Sequence, residues 1–210
     1  MNYLTNSPNK HRWKVAVRRI TKKAMFFGKQ NNITMWGLFA LEQIPAGAYV
    51  VDYVGEVLTA KDGDKRGKIY DSTGMSYLFD MNEPDENDEY DMKVQQSAYE
   101  NFFPLCLDAA YYGNESRFIN HSCEPNLKSF NLVSEVESFT FHRVSFFATK
   151  KISEGEELTI DYCWDNDEFD IPQNVLCLCE KQKCRKFLMR SKNKNLPNDA
   201  DIPNTNLKLL

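Results

Sequence analysis

The sequence predicts a mainly β protein assembled from many short strands, and three observations carry that expectation. β-Branched and aromatic residues concentrate in short runs rather than in long helical stripes. Turn material such as Ile44-Pro45-Ala46-Gly47 and Ser153-Glu154-Gly155 punctuates those runs. The segment Thr59–Tyr70 has the charged composition of a short helix, and Asp71-Ser72-Thr73-Gly74 would end it.

Taken in order, Trp13–Val17 and Gly37–Leu41 are read as strands from their aromatic and branched residues. Tyr49–Val57 follows with Val50, Val51, Tyr53 and Val54, and Met75–Phe79 with two aromatics. Phe139–Ala148 alternates bulky and polar positions, and Leu158–Tyr162 ends by presenting a tyrosine hydroxyl. Residues 83–92 read as a polar loop. From Asn193 onward the Pro/Asn/Asp-rich text is expected to form a loosely attached or disordered tail. No internal repeat is visible.

A chain of 210 residues, 42% hydrophobic and 27% charged, fits one domain or one domain with tails, with enough length for a sizeable core. The formal charge of −4 conceals a division along the chain. Lys10, Arg12, Lys14, Arg18, Arg19, Lys22, Lys23 and Lys29 make the first segment basic, and Lys181 to Lys194 repeat the pattern near the C-terminus. Between them lies the acidic run Glu83, Asp85, Glu86, Asp88, Glu89 and Asp91. Basic flanks can make weak contact with nucleic acid and an acidic loop can attract a basic peptide, although charge runs are more often plain solvated surface. The opening MNYLTNSPNK lacks the apolar region of a signal peptide, and no apolar run is long enough to span a bilayer. An intracellular protein without membrane association is expected. Six cysteines without a secretion signal argue against a disulfide framework.

Four constellations carry chemistry. Asn120, His121 and Cys123 place an amide, an imidazole and a thiol within four residues, inside Ser116-Arg117-Phe118-Ile119-Asn120-His121-Ser122-Cys123-Glu124-Pro125-Asn126. An asparagine both donates and accepts, so it can fix an amino-acid-like ligand; a lone Asn-His pair is more often a polar turn. Cys177-x-Cys179-x4-Cys184 is a compact thiol cluster lacking one ligand of a four-cysteine zinc site. Thr34-Met35-Trp36-Gly37 pairs an apolar wall with a glycine that lets backbone approach a ligand; alone it reads better as a core strand with a turn. Tyr77-Leu78-Phe79 and Tyr162 supply aromatic walls and hydroxyls, residues that in a β protein usually serve the core or surface. Cys106 and Cys163 lie outside these patterns and read as ordinary core or surface cysteines.

In this order and at these separations, the blocks resemble the SET domain of protein lysine methyltransferases over roughly residues 34–190. Within that family Glu56-Val57-Leu58-Thr59, Arg66-Gly67-Lys68-Ile69-Tyr70-Asp71, Tyr77-Leu78-Phe79-Asp80, Asp108-Ala109-Ala110-Tyr111-Tyr112-Gly113-Asn114 and Phe146-Phe147-Ala148-Thr149 read like the Su(var)3-9-like branch. The resemblance implies small curved β-sheets around a pseudoknot, followed by a zinc-binding post-SET segment in which Cys123 joins Cys177, Cys179 and Cys184. It implies S-adenosylmethionine as cofactor, contacted by Met35, Trp36, Gly37, Tyr77, Arg117, Asn120 and His121. Tyr162 would be the catalytic tyrosine, with Tyr77 beside it lining the cofactor and lysine channel and Phe79 and Ile160 completing that channel.

The implied organisation is a basic flank (1–33), a SET domain (34–163, with an acidic loop 82–105), a post-SET segment (164–190) and a tail (191–210). The implied activity is methylation of histone H3, at lysine nine by the branch's habit, in a chromatin-bound, nuclear and monomeric enzyme. Ile160 stands where the family usually has Phe or Tyr, which favours di- or trimethylation. Met35 replaces the first glycine of the family's Gly-Trp-Gly: it fits at negative φ and would cost about 1–2 kcal/mol at positive φ. No cysteine precedes Cys106, so residues 8–33 either brace the core in place of the branch's cysteine-rich pre-SET region or leave it without that support.

Two other classes of function stay open on the same residues. One is a SET module that binds histone or protein partners without turnover. The other is a zinc-dependent nucleic-acid binder using the basic ends, which would show steeply salt-dependent DNA binding.

Overall fold

The computed structural model describes residues 12–26, 29–73, 77–81, 105–136, 139–163 and 175–189, with backbone alone for 24–26, 29–31, 71–73, 133–136, 139–142 and 189. Most of the acidic loop, the tail 191–210 and the expected strand start at Met75 lie outside the described residues.

The chain opens with a long antiparallel hairpin, β1 (Val15–Phe26) and β2 (Lys29–Ala40), in register from Val15↔Ala40 to Phe26↔Lys29. It runs well past the two short strands expected there and crosses residue 33, where the basic flank was expected to end. Charge hides the strand pattern of residues 18–33, yet Ile33 is buried against Leu176 and Leu178, while Trp13, Val15 and Val17 pack on the main core. Within residues 12–33 the hairpin therefore braces the core, the first of the two alternatives for that segment. Met35 sits in β2 opposite Ile20, outside the left-handed region; among the described non-glycine residues, that region holds Cys163, Glu180 and Lys186.

The run expected over Tyr49–Val57 is two strands, β3 (Tyr49–Tyr53) and β4 (Glu56–Thr59), which enter different sheets. The break falls at Val54-Gly55. A side chain at Gly55 would place Cβ 2.8 Å from the carbonyl carbon and oxygen of Asp108, so the two backbones touch there. After β4, Thr59 caps α1 (Ala60–Thr73): its Oγ1 accepts from the Asp62 N–H at 3.3 Å and donates to Asp62 Oδ2 at 2.9 Å.

β5 (Leu78–Met81) and β4 flank β6 (Leu105–Asp108) in one three-stranded sheet. A 3₁₀ turn (Glu115–Phe118) leads into β7 (Asn120–His121). A second hairpin, β8 (Leu127–Val136) and β9 (Phe139–Ala148), joins β3 in order β3-β9-β8. Apart from its second half, this hairpin escapes sequence reading because Lys128, Ser129, Asn131 and Ser134 interrupt the apolar alternation of β8.

The late segment ties these pieces together. Residue 156 accepts from Ala40 N–H, and Leu158 N–H donates to Leu38, so the segment first pairs with β2. It then becomes β10 (Thr159–Ile160), paired in parallel with β7. Ser122 and Asn126 N–H groups donate to Ile160 and Thr159 carbonyls and complete the junction. This is the knot-like crossing expected from the resemblance. Leu38, Ile44, Val144, Phe146, Ile152 and Leu158, all fully buried, form the core around it. β11 (Val175–Leu176) and β12 (Phe187–Met189) form a final small pair. Among the described residues no helix is long and apolar enough to cross a membrane.

Candidate functional site

The β7–β10 junction places Asn120, His121 and Tyr162 side by side. His121 Nδ1 accepts the backbone N–H of Tyr162 at 3.2 Å, so the neutral ring carries its proton on Nε2, which faces Cys123 Sγ at 3.3 Å. Burial, with the Arg185 guanidinium adding to it, brings His121 down to about 4 against the pull of Asp161. Arg185 Nη2 lies 3.4 Å from the ring and gives its strong bond to Asp161 Oδ1 at 2.7 Å. The Tyr162 hydroxyl donates to the Ile119 carbonyl at 3.0 Å, and its ring meets His121 edge-on at 5.4 Å. Burial, helped by the negative charge of Glu157, pushes the Tyr162 phenol well above the ordinary tyrosine range, so it stays a neutral hydroxyl.

Asn120 is held by both of its amide hydrogens. Nδ2 donates to the Trp36 carbonyl at 2.9 Å and to Glu157 Oε1 at 2.8 Å. Oδ1 therefore remains its acceptor and has no hydrogen-bond partner among the described residues. Gly37 makes this closeness possible: a Cβ there would lie 2.8 Å from Glu157 Oε1 and 3.2 Å from Asn120 Nδ2. Trp36 is half exposed, with the Arg19 guanidinium 5.6 Å from its ring centroid.

On the other side, the Arg117 guanidinium stacks 4.0 Å from the Tyr77 ring centroid, and Nη1 donates to the Ala110 carbonyl at 3.1 Å. Its Nε is buried with no hydrogen-bond partner among the described residues. The Tyr77 carbonyl accepts the Tyr53 hydroxyl at 2.7 Å, and Tyr53, Phe79 and Phe146 form an aromatic cluster with centroids 5.1 to 6.3 Å apart. Tyr77, Phe79 and Tyr162 pack against the main core, in which Ile160 is buried.

The four expected thiols come together. Sγ atoms of Cys123, Cys177, Cys179 and Cys184 all lie within 4.8 Å of one another, with Cys123 and Cys177 at 3.7 Å. A tetrahedron of Zn–S bonds of about 2.3 Å has edges of about 3.8 Å, so the set fits zinc. Backbone N–H groups of Arg185 and Lys186 point at Cys123 and Cys184 sulfurs at 3.4 and 3.3 Å. Burial raises the Cys179 thiol, but surrounding backbone amides outweigh it and bring it down to about 7. All six cysteines are free thiols. Cys106 is a core cysteine and Cys163 a surface one.

Sequence reasoning missed the supports: Lys22, Glu157, Asp161 and the Asp108–Arg66 pair. Each is a charged side chain whose partner lies far away in sequence, and no local pattern marks such a pair in advance.

Comparison with known proteins gives a consistent result. The family description "SET domain" matches residues 35–163. Histone-lysine N-methyltransferase SUV39H1 of Xenopus laevis is 35% identical over 173 residues, covering 73% of this chain and 37% of its own. Human SUV39H2 is 33% identical over 183 residues, covering 82% of this chain and 40% of its own. The chain thus spans less than half the length of these relatives. Among solved structures, KRYPTONITE with mCHH DNA, H3(1-15) peptide and SAH has a TM-score of 0.58 at 30% identity, over 84% of this chain and 30% of that one. Arabidopsis thaliana SUVH6 in complex with SAM has a TM-score of 0.55 at 32% identity, over 73% and 30% respectively. The matched segment exceeds half the chain and contains both the β7–β10 junction and the Tyr77–Arg117 stack: the chain belongs to the SET-domain family, in its Su(var)3-9-like branch.

Proposed function

We propose that this chain is an S-adenosylmethionine-dependent protein lysine N-methyltransferase acting in the nucleus on the histone H3 tail. The observation that carries the reading is the Tyr162 hydroxyl, buried, neutral and anchored to the Ile119 carbonyl beside Asn120 and His121. Its kinship with proteins named histone-lysine N-methyltransferases supports the same reaction class.

The residues fit the cofactor. An amino-acid end carrying ammonium and carboxylate matches a free acceptor, Asn120 Oδ1, and a buried unpaired donor, Arg117 Nε. Trp36, Met35, Gly37 and His121 complete that side, and the cofactor supplies an electrophilic methyl group when bound. Four thiolates, Cys123, Cys177, Cys179 and Cys184, would hold a structural zinc ion that fastens residues 175–189 to the site.

The chain's own work is alignment and deprotonation. A lysine enters as ammonium, with an ordinary pKa near 10.4. Tyr77, Phe79 and Tyr162 form apolar walls that disfavour the ammonium and release its proton to water. The lone pairs of the Tyr162 hydroxyl oxygen, whose hydrogen is committed to Ile119, orient the neutral amine for in-line attack. No covalent enzyme intermediate is required.

The branch supports lysine nine of H3 as the proposed target, and Ile160, which offers no hydroxyl to restrain the amine, supports a di- or trimethyl product. The acidic run Glu83–Asp91 supplies charge complementary to a basic tail. Radiolabelled methyl transfer to recombinant histones, wild type beside Tyr162→Phe, tests the reading. Label on H3 that falls sharply in the variant supports it, and a lysine-substituted peptide panel with mass spectrometry locates the site and counts methyls. Absence of label despite cofactor binding and zinc content would move the reading to a non-histone substrate or a binding module.

A further inference from the structure

Charged side chains also reach the site from outside the segment that matches the family, and Lys22 is the one that touches the carboxylate holding Asn120. Lys22 belongs to β1, ahead of residues 35–163. Its Nζ lies 3.2 Å from Glu157 Oε2, and both side chains are largely buried, 19% and 16% exposed. The other oxygen of that carboxylate, Oε1, accepts from Asn120 Nδ2 at 2.8 Å, and the second amide hydrogen of Asn120 goes to Trp36. Gly37 leaves Glu157 no slack on its open side, since even a Cβ would meet Oε1 at 2.8 Å. The hairpin that delivers Lys22 is itself anchored: Lys22 pairs with Ile33 in the ladder, and Ile33 packs on Leu176 and Leu178 of the zinc segment.

We propose that Lys22 is a positioning residue of the cofactor site, acting through Glu157 to fix the orientation of the Asn120 amide. The inference rests on the cofactor reading above. With Oε2 held by Lys22, the carboxylate keeps Oε1 on Asn120, and both Asn120 hydrogens stay committed. Oδ1 is then the atom that Asn120 offers to a ligand, which suits the ammonium of an amino-acid end. Without Lys22, a largely buried carboxylate loses its counter-charge and is drawn toward solvent. The amide is then free to turn and present N–H to an ammonium, which repels it.

The test is calorimetric titration of the zinc-loaded chain with S-adenosylhomocysteine, which keeps the amino-acid end and lacks the reacting methyl. Wild type, Lys22→Met, Lys22→Arg, Asn120→Ala and the double variant Lys22→Met/Asn120→Ala are compared. Lys22→Met is expected to weaken binding about five- to tenfold. Lys22→Arg recovers most of that loss, and Lys22→Met adds nothing once Asn120 is alanine. The KM for the H3 peptide stays unchanged. Wild-type affinity in Lys22→Met, or an equal loss with and without Asn120, overturns the inference alone. Failure of the wild type to bind overturns the cofactor reading and the inference with it. If Lys22→Met does not fold, Lys22→Gln, which keeps a donor without charge, takes its place in the same cycle.

Discussion

The backbone N–H of Tyr162 donates to Nδ1 of His121 across a sequence separation of 41. One imidazole thus fixes the start of the tyrosine side chain while its other nitrogen faces the Cys123 thiol. His121→Ala removes that acceptor, leaves a buried N–H unpaired and opens a cavity. The expected cost is about 3 kcal/mol, read as a lower denaturation midpoint by circular dichroism. Tyr162→Phe, which keeps the backbone bond but strips the Ile119 carbonyl of its hydroxyl donor, should cost less, about 1 kcal/mol.

Metal removal should act locally first. Chelation, or Cys184→Ser, is expected to lower the melting temperature by roughly 10 °C, about 3 kcal/mol for a chain of this size. Elemental analysis should find one zinc per wild-type chain and far less in the variant. Undiminished melting with no metal in the wild type would remove zinc from the account.

Lys186 occupies the left-handed region at φ 72°, while its N–H serves Cys184 and its carbonyl serves Cys177. Glycine adopts that geometry without the Cβ clash, so Lys186→Gly should stabilise the chain by about 1 kcal/mol. Calorimetry would record a rise of about 3 °C. Lys186→Val should move the midpoint the other way.

Asp108 is buried, and Arg66 Nη1 and the Tyr70 hydroxyl both reach its Oδ2 at 2.7 Å while Ala110 N–H reaches Oδ1 at 2.9 Å. Burial pushes its carboxyl up, but these donors outweigh it and hold it below the usual carboxylate range. The unfolded chain therefore takes up the proton first, so the contribution is present above about pH 4 and lost as pH falls through the folded value. Asp108→Asn should cost about 2–3 kcal/mol at neutral pH and flatten the acid limb of stability. Melting curves between pH 7 and pH 3 check both.

Much of the molecule was legible in its text, and the illegible part has a common physical cause. The thiol set, Asn120, His121, Tyr77 and Tyr162 stand out because residue type and order survive as motifs, and the structure places the four thiols together and His121 against Tyr162. The long β1–β2 hairpin does not, because Arg18, Arg19, Lys22 and Lys23 mask the strand pattern of β1, and Ile33 of β2 finds Leu176 and Leu178 only in the late segment of the chain. The break at Gly55 was equally invisible: it exists only because Asp108 backbone lies against it. β7 and β10 are two residues each, too short for any periodicity to register.

The segment from residue 156 to Tyr162 also sets an order of events in time. It pairs first with β2 and then with β7, so it can settle only after both have taken their places. Such pairing between distant stretches is slow, since loop closure must precede any gain. Tyr162 takes its position through that pairing. A species in which that pairing has not formed would therefore lack the proposed catalytic hydroxyl in its place however much sheet it contains, and recovery of the proposed methyl transfer on refolding would track the β7–β10 pairing rather than the appearance of β-structure.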